Sequence, residues 1–344
     1  MNKLVVGMIG VAQFGAYRRK QMRASGRFAI AAVCDRNAQA LAAAAVEEQA
    51  AAYKDFDAML EHPGLEGVVI STGADSHASL SIAAMRKGLD VFVEKPLCCS
   101  MAEVDALRQA ARETGRVIGL GHNHCVSYPL LNLAKRYIDE GLLGTVVAFE
   151  ENSSHSGGLE IKPGDWRGLA DRNPGGMLFQ CGVHAFHGIA YLFGQVDTVQ
   201  AMMRYDANPN TETADAANVL LHCANGVIGT LNCYHVTAYC HELRIFGTKG
   251  NLYLDTHKNL AWFQPRKCGE VEERESVPVP PAPEGYAYGN LGSWFDGIRS
   301  GTPVYPGLED GVAAVLPVFA AEQSAGSGKQ VTVFNSHRWH EIRV

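Results

Sequence analysis

Between residues 3 and 123 the chain alternates continuous apolar runs with stretches of helical period, and no other feature restricts its possible folds so strongly. KLVVGMIG, FAIAAVCD, LEGVVIST, LDVFVEK and RVIGLGHN read as strands, with helices expected over 14–25, 37–51, 76–88 and 101–115. A strand that is apolar on successive residues is covered on both faces, as in a parallel sheet sandwiched by helices. The pattern therefore predicts a doubly wound α/β domain.

After residue 123 the rhythm changes. A leucine-rich helix is expected over 127–141, then strands over 145–154, 196–205, 215–223, 226–234, 241–247 and 250–255. Turn signals ANG and TKG separate the later strands, one helix interrupts them near 175–193, and VPVPPAPEG (277–285) reads as a loop. Helices near 288–300 and 307–325 close the pattern. Strands that follow strands imply a large, mostly antiparallel sheet.

Composition excludes several classes. The 344 residues, 47% hydrophobic and 19% charged, suit a two-domain protein with a real core. A net charge of -6 argues against nucleic-acid or anionic-membrane partners. Nine scattered cysteines without a CxxC suggest reduced thiols, not a disulfide framework or a zinc site, so no metal is expected. The first apolar run is short and lacks a small-x-small cleavage site, so it reads as a strand and not a signal peptide. No stretch approaches the roughly 20 apolar residues that span a bilayer. A cytoplasmic location is expected.

The first strand ends in Gly10-Val11-Ala12-Gln13-Phe14-Gly15, a G-x-G-x-x-G with alanine at the second glycine. Such a turn brings a pyrophosphate onto a helix N-terminus. The Ala12 methyl requires a slightly shifted turn. Asp35 closes the second strand, where a carboxylate holds a ribose 2′-hydroxyl. NAD is therefore the expected cofactor, held by Gly10, Ala12, Gln13, Phe14, Gly15 and Asp35. Arg36 beside it pulls toward NADP, unless it is only a solvated surface residue. Ser71, Thr72 and His77 follow the third strand, on the rim where open parallel sheets bind ligands, and are expected to line the nicotinamide ribose. Alternatively, Asp75 or Ser76 there caps the next helix.

The fourth strand ends in Glu94-Lys95-Pro96, so a lysine is delivered to the same rim. A degenerate GxGxxG, an aspartate closing the second strand and E-K-P after an apolar strand together resemble the glucose–fructose oxidoreductase / inositol dehydrogenase / rhizopine-catabolism (Gfo/Idh/MocA) family. The resemblance covers nearly the whole chain. GHNHCVSYPLLNLAKRYIDEGLLGTV, DWR (165–167), NPGGMLFQCGVHAFHGIAYLFG, LRIFGTKGNLYLD and SGTPVYPGLEDG are similar to later landmarks. It implies a dinucleotide-binding Rossmann domain over 1–122 and a substrate-binding and oligomerisation α/β domain over 123–344. It further implies hydride transfer between NAD or NADP and a ring carbon of a sugar or cyclitol, by a homodimer or homotetramer.

The family's lysine falls on Lys95 and its catalytic histidine on His184. Oxidising a secondary alcohol needs a base for the hydroxyl proton, which an imidazole suits. An ammonium stabilises the developing alkoxide. The competing readings are a Glu94–Lys95 structural ion pair and a satisfied core histidine. Two family aspartates are missing: Gln180 and His187 stand in their places. An aspartate four residues before the histidine shares its helical face and charge-balances it, whereas Gln180 can only orient it. The resemblance also implies Glu94, Lys95 and Asn123 as cofactor contacts. For the substrate it implies Lys95, Asn123, Trp166, Arg167, Gln180 and His184, with His155, Asn152 and Tyr239 as weaker candidates. Two rivals share the fold: an NAD-dependent glycoside hydrolase that uses transient oxidation and elimination, and an NAD-binding regulator.

Overall fold

The computed structural model describes residues 2–122, 125–267, 273–283 and 289–333. They form two compact units, each considered by itself: 1–124 with 284–312, and 125–283 with 313–344.

In the first unit, strands β1 (Leu4–Ile9), β2 (Phe28–Cys34), β3 (Ala51–Tyr53), β4 (Gly67–Ile70), β5 (Asp90–Glu94) and β6 (Ile118–Gly121) pair in the order β3-β2-β1-β4-β5-β6. All pairs are parallel. Helices α1 (Phe14–Ser25), α2 (Ala38–Glu48), α3 (Phe56–Leu60), α4 (Ala74–Arg86) and α5 (Met101–Thr114) make the crossovers. This is the expected doubly wound sheet, and its order reverses between β1 and β4, where such sheets bind ligands. The helix limits have local causes. Gly26 stops α1 in a left-handed conformation, and the Asn37 side chain accepts from the Gln39 and Ala40 amides to start α2. Ser100 accepts from the Glu103 amide while the Glu103 carboxylate accepts from the Cys99 amide, which sets the start of α5.

The first unit also takes in residues 284–312, which a single division at 122/123 leaves with the second. Helix α8 (Gly289–Ser300) is the reason. Its Trp294 is fully buried in the sheet's core, 6.0 Å from the Phe28 ring and 5.6 Å from Phe92. A Cβ on Gly119 would stand 2.8 Å from that indole, so β6 must be glycine there.

The second unit begins with α6 (Pro129–Asp139) and β7 (Val146–Ser154), and later carries α7 (Val183–Phe193). Strands β8 (Val196–Arg204), β9 (Ala216–Cys223), β10 (Ile228–Tyr234), β11 (Cys240–Gly247) and β12 (Gly250–Asp255) follow. Three strands of this unit were not expected, as β3 was not in the first: β13 (Leu260–Pro265), β14 (Glu275–Val277) and β15 (Val331–Thr332). The nine strands pair in the order β14-β13-β12-β11-β7-β10-β9-β8-β15, antiparallel except for β10 against β7. Helix α9 (Leu308–Ser327) closes the fold. One face of this sheet is covered by α7, with Phe149 stacked on Phe193 at 4.6 Å. The other face carries Met202, Leu220 and Ile228 exposed. No helix among the described residues is long and apolar enough to cross a membrane.

Candidate functional site

At the switch point the backbone comes close to itself. A Cβ on Gly15 would lie 1.9 Å from the Gly10 carbonyl, and one on Gly10 would lie 2.4 Å from the Ser71 carbonyl. Both positions therefore require glycine, and Gly10 also has φ 79°. Ala12 is half-buried, while Gln13 and Phe14 are exposed. No side chain caps α1, and its first turn holds no acid. The Gly15 and Ala16 amides donate to the Ala12 and Gln13 carbonyls at 2.8 and 3.1 Å, so what this terminus offers an anion is the positive end of the helix with no acid opposing it. The Asp35 carboxylate closes the turn from β2, accepting from the Val11 amide at 2.9 Å and the Asn37 amide at 2.8 Å. Arg36 points into solvent. The Ser71 hydroxyl at the end of β4 is buried without a hydrogen-bond partner. Glycine cradle, uncapped helix, carboxylate and orphaned hydroxyl all fit a dinucleotide.

Two of the expected cofactor contacts are buried. His77 is 1% exposed, with Nδ1 2.7 Å from the Pro96 carbonyl and Nε2 3.1 Å from the Thr72 carbonyl. It ties the end of β4 to the turn after β5. Burial pushes its pKa down. Glu94 is buried and receives Arg18 Nε at 2.7 Å. Arg18 also bonds Gln21 and Asn290, and its guanidinium lies 5.0 Å from the centre of the Phe92 ring. Burial raises the Glu94 carboxyl, and the Arg18 charge draws it back down. Lys95 is half-buried at the mouth of β5, directly between these two anchored neighbours. Asn123 lies outside the described residues. The caps proposed at Asp75 and Ser76 do not form, because α4 starts earlier, at Ala74 behind Gly73.

In the second unit, residues 173–189 are buried except for Gln180, Cys181 and His184, which are half-buried. Gly175 and Gly176 have positive φ, and a Cβ on Gly176 would meet the Ala214 carbonyl at 2.2 Å. The chain then makes a π-helical turn, Leu178–Gly182, before α7. A π-turn inside a helix is a frequent mark of a functional site. It leaves Gln180, Cys181 and His184 as the polar edge of an apolar segment.

His155, at the end of β7, reaches this edge. Its Nδ1 accepts from the Gly157 amide at 2.9 Å, so the neutral ring carries its proton on Nε2, which faces Cys181 Sγ at 3.3 Å. Burial lowers its pKa. Tyr239 stacks on His155 and His241 at 5.8 and 4.9 Å. Trp166 is exposed, and Asp165 holds the Arg167 guanidinium through both oxygens. His187 is buried, with Nδ1 3.7 Å from Cys125 Sγ. Among the described residues no group of three metal-ligating side chains occurs, and the cysteines are free thiols. Sequence reasoning missed Cys181, whose Sγ lies 3.3 Å from His155 Nε2.

Family models match in two blocks. Residues 4–122 match the oxidoreductase family with an NAD-binding Rossmann fold, and residues 131–253 match the GFO/IDH/MocA C-terminal domain. The scyllo-inositol 2-dehydrogenase (NAD(+)) of Bacillus subtilis is 28% identical over 204 residues, 58% of this chain and 57% of that protein. The myo-inositol 2-dehydrogenase of Thermotoga maritima is 23% identical over 336 residues, 95% of this chain and 97% of that protein. The structure of levoglucosan dehydrogenase with NADH and L-sorbose superposes with a TM-score of 0.86 at 21% identity, covering 97% of this chain and all of that one (100%). GenD2 from gentamicin A biosynthesis, solved with NAD, gives 0.82 at 24% identity, over 98% and 97% of the two chains. At these identities the structural likeness bears on the fold.

Proposed function

Because this chain belongs to the Gfo/Idh/MocA family of NAD-binding oxidoreductases, we propose that it transfers a hydride between nicotinamide and a ring carbon of a sugar, glycoside or cyclitol. Relatives named as inositol 2-dehydrogenases and the likeness to levoglucosan dehydrogenase support a polyhydroxylated ring as substrate. They favour neither hydrolysis nor NAD sensing.

Gly10, Ala12, Gln13, Phe14 and Gly15 would hold the pyrophosphate on α1, and Asp35 the adenosine ribose, with Ser71 and Thr72 toward the nicotinamide. The bound nicotinamide supplies the hydride acceptor. Lys95 orients the reacting hydroxyl and stabilises the negative charge that grows on its oxygen. His184 takes the hydroxyl proton, and Gln180 orients its imidazole without adding charge. Asn123, His155, Trp166 and Arg167 would hold the remaining hydroxyls. The observation that carries this reading is the placing of Lys95. Glu94 on one side is fixed by Arg18 at 2.7 Å, and the Pro96 carbonyl on the other by His77 at 2.7 Å. Arg18 exerts the larger charge on Glu94, and Lys95 adds to it. Formation of reduced nicotinamide that depends on Lys95 is the test. The sheet face bearing Met202, Leu220 and Ile228 would join copies into a dimer or tetramer.

A further inference from the structure

Two turns of the second unit carry side chains assigned above to substrate and proton. One is Trp166–Gly168, with Arg167, and the other is the π-turn with Gln180, which leads to His184 on α7. Asn173, fully buried, is bonded toward both. Its backbone amide donates to the Leu169 carbonyl at 2.9 Å, and its carbonyl accepts from the Gly176 amide at 3.1 Å. The Gly176 carbonyl in turn accepts from the Gln180 amide at 3.2 Å, inside the π-turn. The Asn173 side chain reaches back the other way, with Nδ2 donating to the Arg167 carbonyl at 2.6 Å.

Each turn also has a support of its own. The Thr213 hydroxyl donates to the same Arg167 carbonyl at 3.1 Å. On the other side, Glu322 of α9 accepts from the Gly175 amide at 2.5 Å, and the Ala214 carbonyl lies 2.2 Å from where a Cβ on Gly176 would stand. Neither turn would lose its last anchor with the Asn173 amide. What would go is the direct side-chain bond between them.

Stability does not explain that amide. Its Oδ1 is buried and makes no hydrogen bond among the described residues. A buried acceptor left unpaired costs at least what the one bond from Nδ2 returns. The Arg167 carbonyl keeps a donor in Thr213. An apolar side chain of the same shape would therefore serve the fold as well. We propose that Asn173 is a positioning residue, whose amide fixes the turn carrying Trp166 and Arg167 against the segment that presents Gln180 and His184. This rests on the substrate and proton roles given to those four residues above. A reacting hydroxyl must meet its base within a few tenths of an ångström while the rest of the ring is held, so a fixed spacing between the two turns raises the rate. Thr213 touches the Arg167 carbonyl alone and so acts on substrate holding only.

The test compares wild type with Asn173→Leu, Thr213→Val and Thr213→Ser in initial rates of ring oxidation and in urea denaturation. Asn173→Leu should raise KM and lower kcat, each about tenfold, while its denaturation midpoint stays at or above that of wild type. Thr213→Val should raise KM about threefold with kcat kept, and Thr213→Ser should behave as wild type. A midpoint for Asn173→Leu that falls along with its activity marks a merely structural residue and overturns the proposal, as do unchanged kinetics. Hydrogen exchange of the substrate-free protein gives a readout that needs no turnover. Asn173→Leu should speed exchange in both 166–169 and 176–184, and Thr213→Val in the first segment alone. Faster exchange in only one segment of Asn173→Leu contradicts the link whether or not a substrate is found. If both segments loosen together but wild type oxidises no ring, the link stands and the dehydrogenase reading fails.

Discussion

Arg18 and Glu94 form an ion pair inside the first unit, 2.7 Å apart, with side chains only 4% and 7% exposed. The pair joins α1 to the end of β5 just below Lys95. Removing one partner strands a buried charge, whereas replacing both with apolar groups does not. Arg18→Met should destabilise the protein by about 3–5 kcal/mol, and adding Glu94→Leu should recover much of that loss. Urea denaturation followed by circular dichroism measures both. Equal losses for the single and double variants would show that the pair is not coupled.

Acid should weaken the second unit through His235. Its ring is buried against Gly158 and close to His155 and Arg167, and burial first, then those charges, lower its pKa from 6.5 to about 4. Between these values the unfolded chain binds a proton that the folded chain refuses. The stabilisation is therefore complete above about pH 6.5 and lost as pH falls through about 4, an effect on the order of 3 kcal/mol. His235→Phe should flatten the stability profile over that window. A variant that follows the wild-type curve rules this histidine out as the cause.

Cofactor choice should rest on Asp35. Its carboxylate is positioned by the Val11 and Asn37 amides, whereas Arg36 is exposed. Fluorescence titration should show tighter binding of NADH than NADPH, and Asp35→Ser should shrink that preference roughly tenfold. Tighter NADPH binding by wild type would mean that Arg36 governs the choice.

The open face of the larger sheet should be an interface. Leu220 and Ile228 are 57% and 55% exposed on neighbouring strands, an apolar patch that water penalises. Light scattering should find wild type as a dimer or tetramer and Leu220→Lys with Ile228→Lys as a monomer. An unchanged mass for the double variant would place the interface elsewhere.

How much of this was legible varies with how local the signal is. Five strands of the parallel sheet were readable because each is an apolar run that carries its own period, whereas β3 is a three-residue exposed edge strand, and Lys95 was readable because it interrupts such a run. Strand β13 was missed because it ends in Pro265 and is defined by its partner β12, and β14 has three residues. The return of 284–312 to the first unit depends on where Trp294 packs, and no periodicity records that. That His77 and Glu94 are buried against the Pro96 carbonyl and Arg18 could not be read from the chain, because both partners are distant in sequence. The π-turn at Gln180 was hidden because its apolar residues keep a helical pattern.

The central claim is tested most directly by absorbance of reduced nicotinamide. The protein would be mixed with NAD or NADP and a panel of inositols, aldoses, sugar acids and glycosides, beside Lys95→Ala and His184→Ala. The account expects signal with at least one polyhydroxylated ring, reduced at least a hundredfold by either substitution. A flat trace across the panel from protein that binds NAD, or activity that survives the loss of Lys95, would contradict it.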